Sequence, residues 1–510
     1  MRAYRPVPLF HDSYQYLNVA QHLHQERRLV TSFPHNDAER SHGRIPAPPT
    51  TFPPGYPAVI AASSLRGNYE SAARIVSGIC FAGSAALLAW ALIMTGVRPF
   101  VRQTMLLLFA TNAYALRFST VVLTEPLYMF VSMAAVVTLV WMEERARTQR
   151  SGTAAAVIAC ALTGLSCWIR YAGYFLVAAV VLWALARLSF HQTRLRWVLP
   201  LTALISITLA GGLMLRNTAV VGDWRGGSGG NMPVWHSVAN VAERYDQAQR
   251  ELILGRRRSG GPWGDVIRIG GLAFAGLAVA ASLRALSTRP HRENASRVAA
   301  LVGLFLIVYT CGMFYGGLRT VISFGARMFV PELTLYFLLA GLLINFVFSH
   351  CQTLVEKSLL VISLIAMTVG YAAINARDWS RPAGRPEQEI LAAQWAEPFA
   401  DGRPLKEWVE SHIPAAEPIL SENGQATGYL LQHPTLSMVG PEYSSIRWES
   451  DEVKRQMARF HARNVVLYKP ACTIAPLGES RFAATAATGP PPAGFVTAAE
   501  NSCIRILRGQ

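Results

Sequence analysis

Charge is what this 510-residue sequence has least of, with Asp, Glu, Lys and Arg making up 15% against about 25% in ordinary globular proteins. It is nearly absent from long stretches between 72 and 374, where apolar runs of about 20 residues match the thickness of a bilayer core. A soluble chain of several domains is thereby excluded, and the composition is that of a membrane protein. No apolar h-region stands in residues 1–10, so there is no signal peptide there. The seven cysteines are scattered and make no metal motif. Five lie in the apolar region; Cys472 and Cys503 lie in the tail, free to pair if the tail is periplasmic and to stay reduced if it is not. Basic residues outnumber acidic ones, 47 to 31, but no compact basic face with interleaved aromatics appears, which argues against nucleic acid as a partner.

The sequence reads as a mainly α, polytopic helical membrane protein of about ten transmembrane helices. They fall near 72–95, 103–119, 122–142, 153–169, 171–188, 197–215, 264–286, 298–316, 327–348 and 358–375. Lys and Arg set the orientation. Thirteen fall in the loops at 98–102, 145–150, 187–196, 284–297 and 357, and only Arg117, Arg170, Arg319 and Arg327 in the short loops opposite. Positive loops stay inside, so residues 1–70 and the tail from about 376 are expected outside, in the periplasm of a bacterial inner membrane. Three regions follow: a first periplasmic loop at 1–70, a transmembrane region at 71–375, and a small C-terminal periplasmic α/β domain at 376–510. In the last, strand-like runs such as Asn464 to Tyr468 alternate with Pro/Gly-rich turns. An outward N-terminus with no leading hydrophobic helix is awkward to insert, so a true start upstream of Met1 is expected.

Several polar positions stand out. The segment His11-Asp12-Ser13-Tyr14-Gln15-Tyr16-Leu17 opens an amphipathic helix, with Tyr16, Val19, Ala20 and Leu23 on one face. Asp12 reads either as an N-cap, with Gln15 completing a capping box, or as an acid positioned at the membrane surface by a helix lying on the bilayer. The run from Pro48 to Pro57 holds five prolines and is expected to be neither helix nor central strand. It presents Tyr56 near the interface. Thr124-Glu125-Pro126 reads either as a helix start or as a second acidic site. Trp168-Ile169-Arg170-Tyr171-Ala172-Gly173, Leu215-Arg216-Asn217 and Ala326-Arg327-Met328-Phe329-Val330-Pro331 each place an Arg at a helix end. One such Arg anchors a helix; several on one face beside two acids point to a phosphate site. His11, His22, His24, His35 and His42 offer no pair at i, i+4.

An Asp followed by Ser-x-x-Tyr, then a proline-rich Pro-Pro-Gly-Tyr-Pro stretch before a membrane helix, resembles the first periplasmic loop of GT-C fold glycosyltransferases. The likeness is to the bacterial group of protein O-mannosyltransferases and lipid A aminoarabinose transferases (glycosyltransferase family 39-like), over roughly 10–375. It implies Asp12 as general base and Glu125 as second acid. Tyr14, Tyr56, Arg170, Tyr171, Arg216 and Arg327 are implied as substrate-binding residues. The family begins with a membrane helix before this loop, and this sequence does not.

The resemblance implies an enzyme moving a hexosyl or pentosyl unit from a polyprenyl-phosphate carrier, with inversion, to a periplasmic acceptor that is a lipid, glycan or protein. The partners are then the lipid-linked donor, the acceptor and membrane lipids. No cofactor is required by the motifs, although a divalent metal stays open because some relatives are associated with one. The rival readings are a transporter or flippase of lipid-linked saccharides, which places charge near the bilayer midplane, and an inactive scaffold that binds through its tail.

Overall fold

The computed structural model describes residues 9–34, 41–147, 153–188, 198–226, 236–254, 294–319, 325–379, 387–438, 446–472 and 480–510. Two short helices precede the apolar region, α1 (His11–Glu26) and α2 (Gly55–Ser63). The apolar region follows as α3 (Tyr69–Met94), α4 (Pro99–Thr111), α5 (Ala113–Phe118), α6 (Glu125–Arg147), α7 (Thr153–Ile169), α8 (Gly173–Leu188) and α9 (Val198–Val221). After the amphipathic α10 (Val238–Leu254) come α11 (Asn294–Arg319), a 3-10 segment (Ala326–Glu332), α12 (Leu333–His350) and α13 (Leu354–Trp379). Among the described residues six helices are long and apolar enough to cross a membrane: α3, α6, α9, α11, the 3-10 segment continued by α12, and α13. α7 and α8 are apolar but shorter. The expected span at 264–286 lies outside the described residues.

α6 is the hub. It packs against α3 and α7 and touches the 3-10 segment, and 83% of its most apolar window is buried by protein. α3, α9 and α13 bury 33%, 33% and 17% of theirs, so their remaining apolar faces are the ones available to lipid.

Two expectations need correction here. The helix expected at 103–119 is two helices, because Asn112 is extended at the break and caps α5 by accepting from the Ala115 N–H. Its amide also donates to the Leu252 carbonyl and the Tyr371 hydroxyl, which holds α10 and α13 at this point. The proline-rich stretch does turn helical, since Gly55, Tyr56 and Pro57 are the first turn of α2. A proline costs little where its missing N–H would have no helical partner. Gly55 is needed for another reason: a Cβ there would press into the backbone carbonyl of Trp168.

The C-terminal part contains α14 (Glu387–Trp395), α15 (Leu405–His412), α16 (Gly424–Leu431), α17 (Ser450–Phe460) and α18 (Arg481–Ala486) around one sheet. Its strands are β1 (Ile419–Ser421), β2 (Thr435–Ser437), β3 (Asn464–Tyr468), β4 (Phe495–Glu500) and β5 (Ile504–Gly509), in the order β2-β1-β3-β5-β4. The first three are parallel, and β5 and β4 are antiparallel to their neighbours. Crossover helices account for this mixture, since parallel neighbours need a long connection and β4–β5 is a hairpin. Cys472 and Cys503 form a disulfide, with Cα atoms 5.3 Å apart.

α1 is not a helix lying on the bilayer. Ser13 through Ala20 are buried on all sides, because the C-terminal part closes over the helix. Tyr14 packs on Tyr429, with ring centroids 5.4 Å apart, and Gln425 donates to Gln15 across 3.0 Å. The chain after α1 extends the sheet, its Ser32 and Pro34 carbonyls accepting from the Thr435 and Ser437 N–H groups of edge strand β2.

Candidate active site

The N-cap reading of Asp12 does not survive. α1 starts at His11, and Phe10 is its N-cap residue. Ser13 caps it instead, its hydroxyl accepting from the Phe10 N–H at 3.0 Å and donating to the Val122 carbonyl at 2.8 Å. Gln15 is committed to Gln425. The Asp12 carboxylate is left to meet Arg327, Nη2 to Oδ2 at 2.5 Å.

Arg327 bridges two acids from different elements. Its Nε donates to Glu125 Oε1 at 2.5 Å, so one guanidinium joins the start of α1 to the start of α6. Arg170, in the turn between α7 and α8, brings Nη1 to the same Glu125 oxygen at 2.9 Å and also donates to the Thr124 hydroxyl at 2.9 Å. Its Nη2 contacts Met328 Sδ at 3.2 Å. The result is a chain Asp12–Arg327–Glu125–Arg170 of two negative and two positive groups. Exposure separates the acids. The Glu125 side chain is 0% exposed and Asp12 25%, while Arg327 and Arg170 are 27% and 15% exposed. Glu125 is a buried anchor for the cations; Asp12 is the acid an incoming molecule can reach.

Local structure explains why these groups converge. Tyr128 donates to the Ala172 carbonyl at 2.9 Å and ties the α7–α8 turn to α6. The Arg170 carbonyl accepts from the Gly173 N–H at 2.8 Å, so α8 folds straight back on α7. A Cβ at Gly173 would overlap the backbone of Ser166 and Cys167, which gives the Arg-Tyr-x-Gly pattern a steric reason. Gly173→Ala is therefore expected to displace Arg170 and lower turnover by roughly a hundredfold, the scale of an ångström-sized misplacement. The variant's initial rate beside its thermal unfolding measures this. Across the cluster, Tyr309 donates to the Met328 carbonyl at 2.7 Å and steadies the 3-10 segment that carries Arg327.

The other expected substrate-binding residues are placed elsewhere. Tyr14 faces the C-terminal part. Tyr56 is buried behind the cluster, edge-on to Tyr16 at 5.2 Å. Tyr171 donates to the Thr50 carbonyl at 2.8 Å and receives the Asn217 amide at 3.1 Å. Arg216 donates to the Pro49 carbonyl at 3.0 Å. Together Tyr171, Arg216 and Asn217 hold the proline-rich stretch against the ends of α8 and α9.

Two residues of the cluster escape the motif reading. Tyr16 is one helical turn past Asp12 and 3% exposed. Burial, then the Asp12 and Glu125 carboxylates, push its phenol well above the ordinary range, so it stays a neutral hydroxyl among charges. Phe10 lies under two guanidinium groups, those of Arg327 at 5.9 Å and Arg117 at 5.8 Å. Spacing offers a signal for Tyr16, since i and i+4 share a helix face. None exists for Phe10.

Both acids of the cluster are turned to guanidinium groups in this structure, and among the described residues no three His, Cys, Asp or Glu side chains gather as a ligand set. His35 lies outside them. A small cavity lined by Glu143, Trp183 and Arg297 sits near the other end of α6, remote from Glu125.

Residues 52–217 match the family described as dolichyl-phosphate-mannose-protein mannosyltransferase. That segment contains Glu125, Arg170 and Arg216 but not Asp12 or Arg327. No curated protein matches. The fold is similar to ArnT from Cupriavidus metallidurans bound to undecaprenyl phosphate, with a TM-score of 0.56 and 13% identity over 99% of this chain and 94% of that one. It is also similar to the oligosaccharyltransferase AglB from Archaeoglobus fulgidus, solved with an inhibitory peptide and a dolichol-phosphate. There the TM-score is 0.53 and the identity 12%, over 90% of this chain; the chain spans 66% of the archaeal one. A further structure of the Archaeoglobus fulgidus enzyme, a complex with zinc and sulfate, matches with a TM-score of 0.53 at 12% identity, over 90% of this chain and 64% of that one. The chain therefore shares its fold with ArnT and AglB, carries the mannosyltransferase-family match over residues 52–217, and among the described residues has six helices long and apolar enough to cross a membrane.

Proposed function

We propose that this protein moves a sugar from a polyprenyl-phosphate carrier to an acceptor hydroxyl or amine outside the membrane, with Asp12 as general base. The observation that carries the reading is the Asp12–Arg327–Glu125–Arg170 chain. It sets one partly exposed acid beside two guanidinium groups on a buried carboxylate. An acceptor O–H or N–H gives its proton to Asp12 as its oxygen or nitrogen bonds to the anomeric carbon. The bond from that carbon to the phosphate oxygen breaks, and its electron pair leaves with the phosphate. Arg327 and Arg170 are prepaid positive charge at the point where that charge grows. Attack opposite the leaving group inverts the anomeric centre.

Glu125 has no access to an acceptor. Its role is to keep both guanidinium groups in place, since a planar fork holds carboxylate and phosphate geometry in a way a lysine does not. Arg216, Tyr171, Tyr56 and Tyr14 serve as supports behind the site in this reading. Residues 1–70 and the C-terminal part lie in the periplasm. The excess of Lys and Arg in the opposite loops supports this, and so does the Cys472–Cys503 disulfide, which suits an oxidising compartment.

Purified protein in nanodiscs, given radiolabelled polyprenyl-phosphate sugars and envelope lipid, glycan and protein acceptors, is expected to transfer label and release the free carrier phosphate. Movement of intact lipid-linked saccharide across the bilayer without cleavage would favour a flippase instead.

A further inference from the structure

α1 carries Asp12 and is held from two sides. On the membrane side it is fixed by the Ser13 hydroxyl to Val122, three residues before Glu125, and by Asp12 to Arg327. On the other side it meets the N-terminal end of α16 in the C-terminal part, through Gln425 Nε2 donating to Gln15 Oε1 at 3.0 Å. This second contact is unusual for a packing interface. Gln15 and Gln425 are 1% and 2% exposed. The remaining halves of the two amides, Gln15 Nε2 and Gln425 Oε1, have no hydrogen-bond partner among the described residues. A few residues away the same interface is made by the rings of Tyr14 and Tyr429. An interface selected for strength alone would use apolar groups at 15 and 425 too, because half-satisfied buried amides cost stability. What a buried polar pair supplies is a single register.

We propose that Gln15 and Gln425 are positioning residues for Asp12: the amide pair fixes the rotation and axial place of α1, so the seat of the C-terminal part determines how Asp12 meets Arg327 and the acceptor. The lever is short. Asp12 and Gln15 are three residues apart on one rigid helix, and the chain that follows α1 is pinned to β2 by the Ser32 and Pro34 carbonyls. A shift of the C-terminal part is therefore transmitted to the acid. This inference rests on the reading of Asp12 as base.

Gln425→Met tests it, since Met keeps the length and packing of the side chain and removes the amide. In the full-length protein in nanodiscs, kcat for sugar transfer is expected to fall about tenfold or more, as misplacement of a catalytic group does. Donor KM should stay within about twofold; the unfolding temperature should fall in the single variant, which leaves the other amide buried without a partner, and recover to equal or higher in the double variant. Gln15→Met should do the same, and the double variant should be no slower than either single one, because both remove one contact. A kcat within about twofold of wild type overturns the inference. So does a rate that returns to within about twofold of wild type in the double variant as its unfolding temperature recovers, or a loss that multiplies there. If Gln425→Met accumulates poorly, Gln15→Met is read by the same three quantities. Transfer that persists in Asp12→Asn would sink the base assignment, and this inference with it; an inactive Asp12→Asn beside a normal Gln425→Met sinks the inference alone.

Discussion

Asp12→Asn is expected to lower kcat for transfer by roughly a hundred- to ten-thousandfold, the range a positioned acid or base contributes. The change is nearly isosteric and leaves Ser13 to cap α1, so the helix should keep its place. It removes the proton acceptor and replaces a charge-assisted contact to Arg327 by a neutral one. Binding of the carrier should be retained, because the phosphate is met by Arg170 and Arg327 and not by the acid. Steady-state rates with labelled donor, beside equilibrium binding of unlabelled carrier phosphate, separate the two quantities. Loss of binding together with rate would make Asp12 a structural partner of Arg327 and nothing more.

Arg327→Ala should be the most damaging single change to both stability and turnover. One guanidinium neutralises Asp12 and Glu125 at 2.5 Å each, and Glu125 is wholly buried. Removing one partner of a buried ion pair costs about 3–5 kcal/mol, because the remaining charge is left without compensation. Arg170 stays on Glu125 and should soften that loss for this acid but not for Asp12. Arg327→Lys should not restore activity, since a single ammonium lacks the two donor directions that reach two carboxylates at once. Thermal unfolding in detergent and the transfer rate report the two effects. A stable Arg327→Ala protein with ordinary turnover would contradict the bridge.

What could be read in the sequence was whatever is local. Apolar runs of bilayer length give α3, α6, α9, α11 and α13 because the 3.6-residue period and the composition act within one segment. Thr124-Glu125-Pro126 reads as a helix start because Pro and an acid suit a first turn, and α6 does begin there. What could not be read depends on pairing across the chain. Gln15 and Gln425 are 410 residues apart, and nothing near position 12 announces that α1 will be covered by the C-terminal part instead of lying on lipid. The break at Asn112 is decided by distant acceptors at Leu252 and Tyr371. Tyr14 illustrates a different kind of miss. It lies two residues from Asp12 and so on nearly the opposite side of the helix, whereas Tyr16 shares the acid's face; helical phase alone separates the two.

The central claim is that Asp12, Glu125, Arg170 and Arg327 form one site for a lipid-linked sugar phosphate. An electron cryomicroscopy structure of the protein in nanodiscs with a non-transferable polyprenyl-phosphonate sugar tests it most directly. The account predicts the phosphonate oxygens within hydrogen-bond distance of the Arg170 and Arg327 guanidinium groups, with the anomeric carbon turned towards Asp12. A phosphonate seated away from both arginines, or a sugar on the far side of α1 from Asp12, would contradict it.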